Sequence, residues 1–314
     1  MRAIGLYEFG DPEVLQVLDL PLPEPGPGEV RVRVHAAAVS PTDAALRAGD
    51  YAARIEGLEP PFIPGMDAAG VIDQLGPDCT DRLAVGDRVV ALVRPLSQWG
   101  GAYADYITLP EPSVVRAPAG VDHGAASTFL MNALTARVSL NALALTPDQP
   151  LVVSGAPGLL GGYLIQLAKA DGLQVIADAS PADEALVRSF GADHVVPRGD
   201  GFVVAVRDLL PEGARGLVDA GILNERALGA LADGGSMVVL QGWEGPVERG
   251  IELHRIFVAG WAEDTDRMER LVEQVESGVL SLRVLDVLPA EQAVEAHRRM
   301  HAGGIRGRIV LAFA

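Results

Sequence analysis

Cysteine is nearly missing: Cys79 stands alone in 314 residues. That excludes an intrachain disulfide and a structural zinc site built on thiolates, and it makes the cytoplasm the expected compartment. Basic residues are also scarce, with 25 Lys and Arg against 42 Asp and Glu, a formal net charge of -17 and an isoelectric point near 4.7. Such a surface repels phosphate backbones and anionic headgroups, so neither nucleic acid nor membrane is expected as a partner. The opening MRAIGLYEFG lacks the apolar core of a secretion signal. Gln149 to Ala168 carries no charge and approaches the length of a membrane span, but its glycines and Pro157 divide it into a strand and a helix. No GxSxG elbow and no HExxH pair occurs, which removes the commonest hydrolase signatures.

What remains is the make-up of an ordinary soluble chain, 49% hydrophobic and 21% charged. Its length suits about two domains. From Met1 to about Asp122, short alternating runs lie between turns. Val30-Arg31-Val32-Arg33-Val34-His35 has the pattern of a strand with one wet face, and PLPEPGPGE before it is a turn-rich entry. Ala69 to Gln74, Asp87 to Val93 and Ala102 to Thr108 read as further strands of an antiparallel barrel or sandwich.

From about His123 the period changes. Ala125 to Leu145 reads as one helix. Strands at 151–155, 174–178, 193–196, Gly216 to Asp219, Ser236 to Gln241 and Ile256 to Trp261 then alternate with helices at 159–171, 182–190, 202–209, Glu225 to Ala232 and Arg267 to Ser277. That alternation specifies a parallel sheet covered on both faces, hence an α/β chain. Strand, helix and strand over Leu280 to Phe313 close it.

The chemistry begins at LVVSGAPGLLGGYLIQLA, Leu151 to Ala168, a short apolar strand, a glycine turn and an apolar-periodic helix. Its turn, Gly155, Ala156, Pro157, Gly158, Leu159, Leu160 and Gly161, lets backbone amides approach a pyrophosphate at a helix N-terminus. A dinucleotide is the expected ligand. Asp178 ends the next strand, seventeen residues beyond Gly161. A carboxylate there accepts from a ribose 2′-OH and repels a 2′-phosphate. The same position also reads as a helix entry, with Ser180 and Asp183 beside it. His297 and His301, four apart on a helix, have no third ligand nearby, so no metal site is expected. Arg298, Arg299, Arg306 and Arg308 form a local basic cluster, mostly a solvated face, from which one arginine could reach a cofactor phosphate. His35 and Cys79 read as structural.

The chain as a whole resembles the medium-chain dehydrogenase/reductase superfamily, in its zinc-free NADPH:quinone oxidoreductase (zeta-crystallin-like) branch. The likeness rests on GDPEVLQVLDLPLPEPGPGEVRVRVHAAAVSPTD, PPFIPGMDAAGVI with VGDRVVAL, GGAYADY, the glycine turn, SFGADHVV, LADGGSMVVLQG and EAHRRMHAGGIRGRIVL. It implies a GroES-like antiparallel β-barrel domain (1–122), a doubly wound Rossmann domain (123–262), a C-terminal return to the first domain (263–314), and an active site in the cleft between domains. Zinc-dependent relatives have a cysteine where Ser40 stands and a His-Glu pair at Met66-Asp67, and their cysteine-rich lobe is missing between Leu92 and Tyr103. Neither Ser40 nor Met66 is a good zinc ligand, so metal-free catalysis is expected.

By the same resemblance, Gly155 to Gly161 hold the pyrophosphate, Thr135 lies near the nicotinamide, and Gln241-Gly242 flank the cofactor. Trp261 and Ala262 border the nicotinamide pocket, Arg308 approaches the cofactor, and Tyr51 shapes the substrate mouth. The NADPH-preferring pattern has a lysine where Glu184 aligns, and Asp178 adds a second charge unfavourable to a 2′-phosphate. NADP(H) and NAD(H) both stay open. The expected activity is hydride transfer to a quinone or an activated enone or enal, with Ser40 and Tyr51 hydrogen-bonding the acceptor. An enoyl-thioester reductase, another medium-chain dehydrogenase, or a cofactor-binding redox sensor with little turnover are the alternatives. A homodimer is expected, pairing across the edge at Ile256 to Trp261.

Overall fold

The computed structural model describes residues 1–98 and 100–313; Trp99, in the loop Arg94 to Gly101 that the sequence offers as a wall of the substrate pocket, and Ala314 lie outside it. The chain divides into two compact units. One comprises Met1–Met131, Ala259–Glu276 and Leu282–Ala314, and the other Asn132–Val258 and Ser277–Ser281.

The first unit opens with a ribbon of β1 (Arg2–Gly5) and β2 (Gln16–Asp19). Its main sheet is built on β3 (Glu29–Ala38), whose alternation buries Val30, Val32 and Val34. After α1 (Pro41–Ala48) come β4 (Asp67–Leu75), β5 (Arg88–Leu92), β6 (Tyr106–Pro110), β7 (Val114–Arg116) and the short α2 (His123–Ala126). β4 runs antiparallel along one side of β3, while β6 takes the first half of the other side. Apolar side chains from these strands, among them Val32, Ile72, Val89, Tyr103 and Ile107, form a continuous core.

The second unit is reached through α3 (Leu130–Leu143). It alternates β8 (Pro150–Ser154), α4 (Leu159–Ala170), β9 (Gln174–Ala179), α5 (Glu184–Ser189), β10 (His194–Pro197), α6 (Phe202–Leu209), β11 (Ala214–Asp219), β12 (Leu231–Val239) and β13 (Glu252–Arg255). All six strands are parallel, in the order β10-β9-β8-β11-β12-β13. This is the doubly wound Rossmann arrangement, with the order reversing at β8. Phe202 and Val206 from α6 pack with Val152, Ile176, Leu217 and Met237 of the sheet.

The chain then returns to the first unit through α7 (Thr265–Glu276), β14 (Val284–Pro289), α8 (Ala293–His301) and β15 (Arg308–Ala312). β15 completes the free half of β3, and β14 joins β15 in parallel, so the sheet is mixed rather than wholly antiparallel. No described helix is long and apolar enough to cross a membrane.

Three local expectations are corrected. The helix expected over Ala125 to Leu145 is interrupted at 127–129, because the Ser127 and Thr128 hydroxyls donate back to the carbonyls of Gly124 and Ala125. α2 packs on β3 and β4, within the Met1–Met131 segment of the first unit. The helix expected at Glu225 to Ala232 is a 3-10 helix, Asn224–Ala230, and β12 begins at Leu231. The expected edge strand Ile256 to Trp261 is absent: Ile256 makes the last bond to the β12 backbone, through the Val239 carbonyl, and Val258–Trp261 winds as a 3-10 helix. The sheet edge is β13.

Candidate active site

The glycine turn leaves the sheet at β8, where strand order reverses and ligands of open α/β sheets gather. Gly155 adopts φ +69, and a Cβ there would stand 2.6 Å from the Ala220 carbonyl carbon and the Gly221 nitrogen. A Cβ on Gly161 would meet the Gly155 carbonyl oxygen at 2.4 Å, so both positions require glycine. Gly158 caps α4 without any side chain to satisfy the first turn. The amides of Leu159 and Leu160 belong to the first turn of α4, at the positive end of the helix, which suits a pyrophosphate. Pro157 has no N–H to offer.

Asp178 turns toward this loop. Its Oδ1 accepts the Ala156 amide at 2.9 Å, and the side chain is 2% exposed. Burial pushes its carboxyl up, opposed by the Ala156 amide and by Arg198. The carboxylate is therefore bonded to the protein's own backbone. Ser180 donates to Asp183 at 2.7 Å, and Glu184 pairs with Arg188 at 2.8 Å on an exposed helix face. Neither acid that disfavoured a 2′-phosphate is an isolated charge facing solvent.

Sequence reasoning missed Arg198. It follows β10 directly, is exposed, and its amide bonds the Ala179 carbonyl at 3.1 Å, beside Ser180. Among the described residues it makes no ion pair. Its signal in the sequence is a lone arginine closing a strand, in VVPRG. Gln241 and Gly242 follow the end of β12, Gly242 at φ +75 with Phe257 beside it. Thr135 is buried on α3 in the same unit.

The other candidates lie in the first unit. Ser40 is the N-cap of α1 in a capping box with Asp43, and its hydroxyl donates to Asp43 Oδ2 at 2.7 Å. Gly65 donates its amide to Asp43 Oδ1 at 2.8 Å, and the Tyr103 hydroxyl lies 3.4 Å from Oδ2 and 3.3 Å from His297 Nε2. With its proton on Asp43, Ser40 presents only acceptor lone pairs. Burial pushes the Asp43 carboxyl and the Tyr103 phenol up, while it lowers His297 to about 3.

Asp67, at the head of β4, accepts the Met131 amide at 2.8 Å, and burial raises its carboxyl to about 7. Arg308 favours the ionised form of Asp43, Asp67 and Tyr103, against the larger effect of their burial. Tyr51 follows α1, with Arg54 over its ring at 5.6 Å. Burial chiefly, and then Asp50 and Asp43, raise its phenol, opposed by Arg54, so it holds its proton at neutral pH. Trp261 ends the 3-10 helix 258–261 in this unit, half-buried.

His297 is buried against Tyr103 and His301 is exposed. Arg298 pairs with Glu13 and Arg299 with Asp286, each at 2.6 Å. Cys79 Sγ donates to the Glu29 carbonyl, and His35 stacks on His123. Among the described residues, no three His, Cys, Asp or Glu side chains are grouped to hold a metal ion.

A parallel sheet with a glycine turn at its switch point, joined to a β unit that the chain leaves and re-enters, defines a dinucleotide-dependent oxidoreductase of the two-unit α/β class. Residues 26–119 match the alcohol dehydrogenase GroES-like domain, and 190–311 match the zinc-binding dehydrogenase model. The chain is 26% identical to human quinone oxidoreductase over 331 residues, covering 99% of this chain and 97% of the relative. Among solved structures, an NAD-dependent alcohol dehydrogenase superposes with TM-score 0.86 at 30% identity, covering 100% of both chains. A mycobacterial protein complexed with NADPH also superposes with TM-score 0.86, at 28% identity and 100% of both chains. The chain belongs to the medium-chain dehydrogenase/reductase superfamily, in its quinone oxidoreductase branch, and is an NAD(P)H-dependent oxidoreductase.

Proposed function

We propose that the protein reduces a quinone, or an activated enone or enal, without a metal ion. The observation that carries this reading is the glycine turn at the start of α4, where neither Gly155 nor Gly161 leaves room for a Cβ, in a chain that aligns end to end with quinone oxidoreductases. Bound NAD(P)H supplies a hydride. The residues from Gly155 to Gly161 hold the pyrophosphate, and Thr135, Gln241, Gly242 and Trp261 border the rest of the cofactor. Arg198 and Ser180 suit a 2′-phosphate, which favours NADPH. Tyr51, protonated at neutral pH, donates a hydrogen bond to the acceptor oxygen as negative charge develops there. Ser40 accepts from the hydroxyl that forms, and the balancing proton comes from solvent.

The test is NAD(P)H oxidation by the purified protein against a panel of quinones, enals, enones and 2-enoyl thioesters. Turnover with a quinone or enone is expected. Turnover on thioesters alone would make it an enoyl-thioester reductase. Tight cofactor binding with no turnover on any acceptor would reject the enzyme reading in favour of a redox sensor.

We further propose a homodimer joined at β13. Antiparallel pairing of this edge with a second copy about a two-fold axis sets Glu252 opposite Arg255, which makes ELHR self-complementary in charge.

A further inference from the structure

Ile222 is out of place by every local rule. It adopts φ +56, a left-handed conformation that a β-branched residue rarely takes, and its apolar side chain is 42% exposed. Packing does not hold it there. The backbone around it does: buried Asp219 accepts the amides of Leu223 at 2.9 Å and Asn224 at 2.7 Å. Ser154 donates to the same carboxylate while accepting the Gly221 amide at 3.0 Å. Strain persists only where its surroundings over-determine it, and it concentrates at ligand contacts. Glycine or asparagine would fit this turn without strain, so the isoleucine side chain needs another reason to be there.

The position supplies one. Ala220 and Gly221 touch Gly155 closely enough that no Cβ fits between them, so Ile222 stands at the carboxyl end of β11 beside the turn that receives the pyrophosphate. We propose that the 220–224 loop is a pre-strained clamp that presents Ile222 to the flat face of a base of the bound dinucleotide. This rests on the dinucleotide reading above. Exposed apolar area on one side and an aromatic base on the other lose water together, and the strained loop spares the ligand the task of ordering it.

A passive turn and a clamp differ in the sign of two measurements on one variant. Ile222→Gly relieves the strain, so the melting midpoint of the cofactor-free protein should rise by about two degrees. The Kd for NADPH and NADH, read by calorimetry, should nevertheless increase about five-fold. Ile222→Val keeps both the branch and most of the apolar surface and should behave as wild type. Weakening shared by 5′-AMP identifies the base as adenine, and weakening shared by nicotinamide mononucleotide identifies it as nicotinamide; either supports the clamp. A higher melting midpoint with unchanged Kd overturns it, as does a lower midpoint, which would make Ile222 a packing residue. Failure of the wild-type protein to bind any of these nucleotides would overturn the dinucleotide reading itself, before a variant is made.

Discussion

Tyr51 and Arg198 carry the sharpest chemical consequences. Tyr51→Phe removes one O–H and little volume, so kcat should fall about ten- to hundred-fold while cofactor Kd stays unchanged. An unaltered kcat with the best acceptor would exclude Tyr51 from the reaction. On the proposed contact of Arg198 with a 2′-phosphate, Arg198→Ala should raise the KM for NADPH about ten-fold and leave NADH alone. Asp178→Asn should weaken both cofactors by similar factors, because the carboxylate braces the Ala156 amide. If it improved NADPH relative to NADH in steady-state assays, Asp178 would face the ribose and the bracing role would fall. The direction of Asp178 was not legible in the sequence: alternation assigns a side chain to a face of the sheet, not to a partner amide. Arg198 was hidden for a similar reason, since its place beside Ala179 follows from the register of β10 on β9.

At the scale of elements, α2 is held on β3 partly by the stack of His35 and His123, with centroids 4.6 Å apart. Burial chiefly, then the facing His35 imidazole, Arg88 and Arg33, lower His123 to about 4 against Asp122, and burial with Arg33 and Arg88 lowers His35. A histidine whose folded pKa lies below its unfolded value of ~6.5 favours the folded state in its neutral form. Its contribution is full above that value and is lost as pH falls toward 4. Melting midpoints should therefore fall across this acid window, and His123→Phe should flatten that part of the profile; an unchanged slope would show that other groups set it.

The same scale shows what a sequence can reveal. The ends of α6 and the body of α4 were legible because long apolar faces repeat at the helical period. IFVAGW misled because Ile256 and Val258 are buried without forming a ladder, whereas the true edge strand, ELHR, is polar and one-sided. Burial and strand are separate properties, and hydrophobicity reports only the first.

At the scale of the whole molecule, the two-unit architecture was legible from the switch between alternating and helical periods, whereas the pairing of β15 with β3 joins segments that no local pattern connects. The β13 interface makes a prediction here. Glu252→Arg places like charges opposite one another and should shift sedimentation toward monomer, and adding Arg255→Glu should restore the dimer. A wild-type protein that sediments as a monomer at every concentration removes the interface.

The late arrival of β15 has a further consequence, for synthesis. The second half of β3 on its β15 side, Ala36 to Ala38, finds its partner only when Val310 to Ala312 leave the ribosome, long after every strand of the nucleotide unit has emerged. The inserted unit can thus fold cotranslationally while the enclosing one waits with an open edge. Chains stalled or clipped before Arg308 should carry a folded nucleotide domain on an aggregation-prone first half.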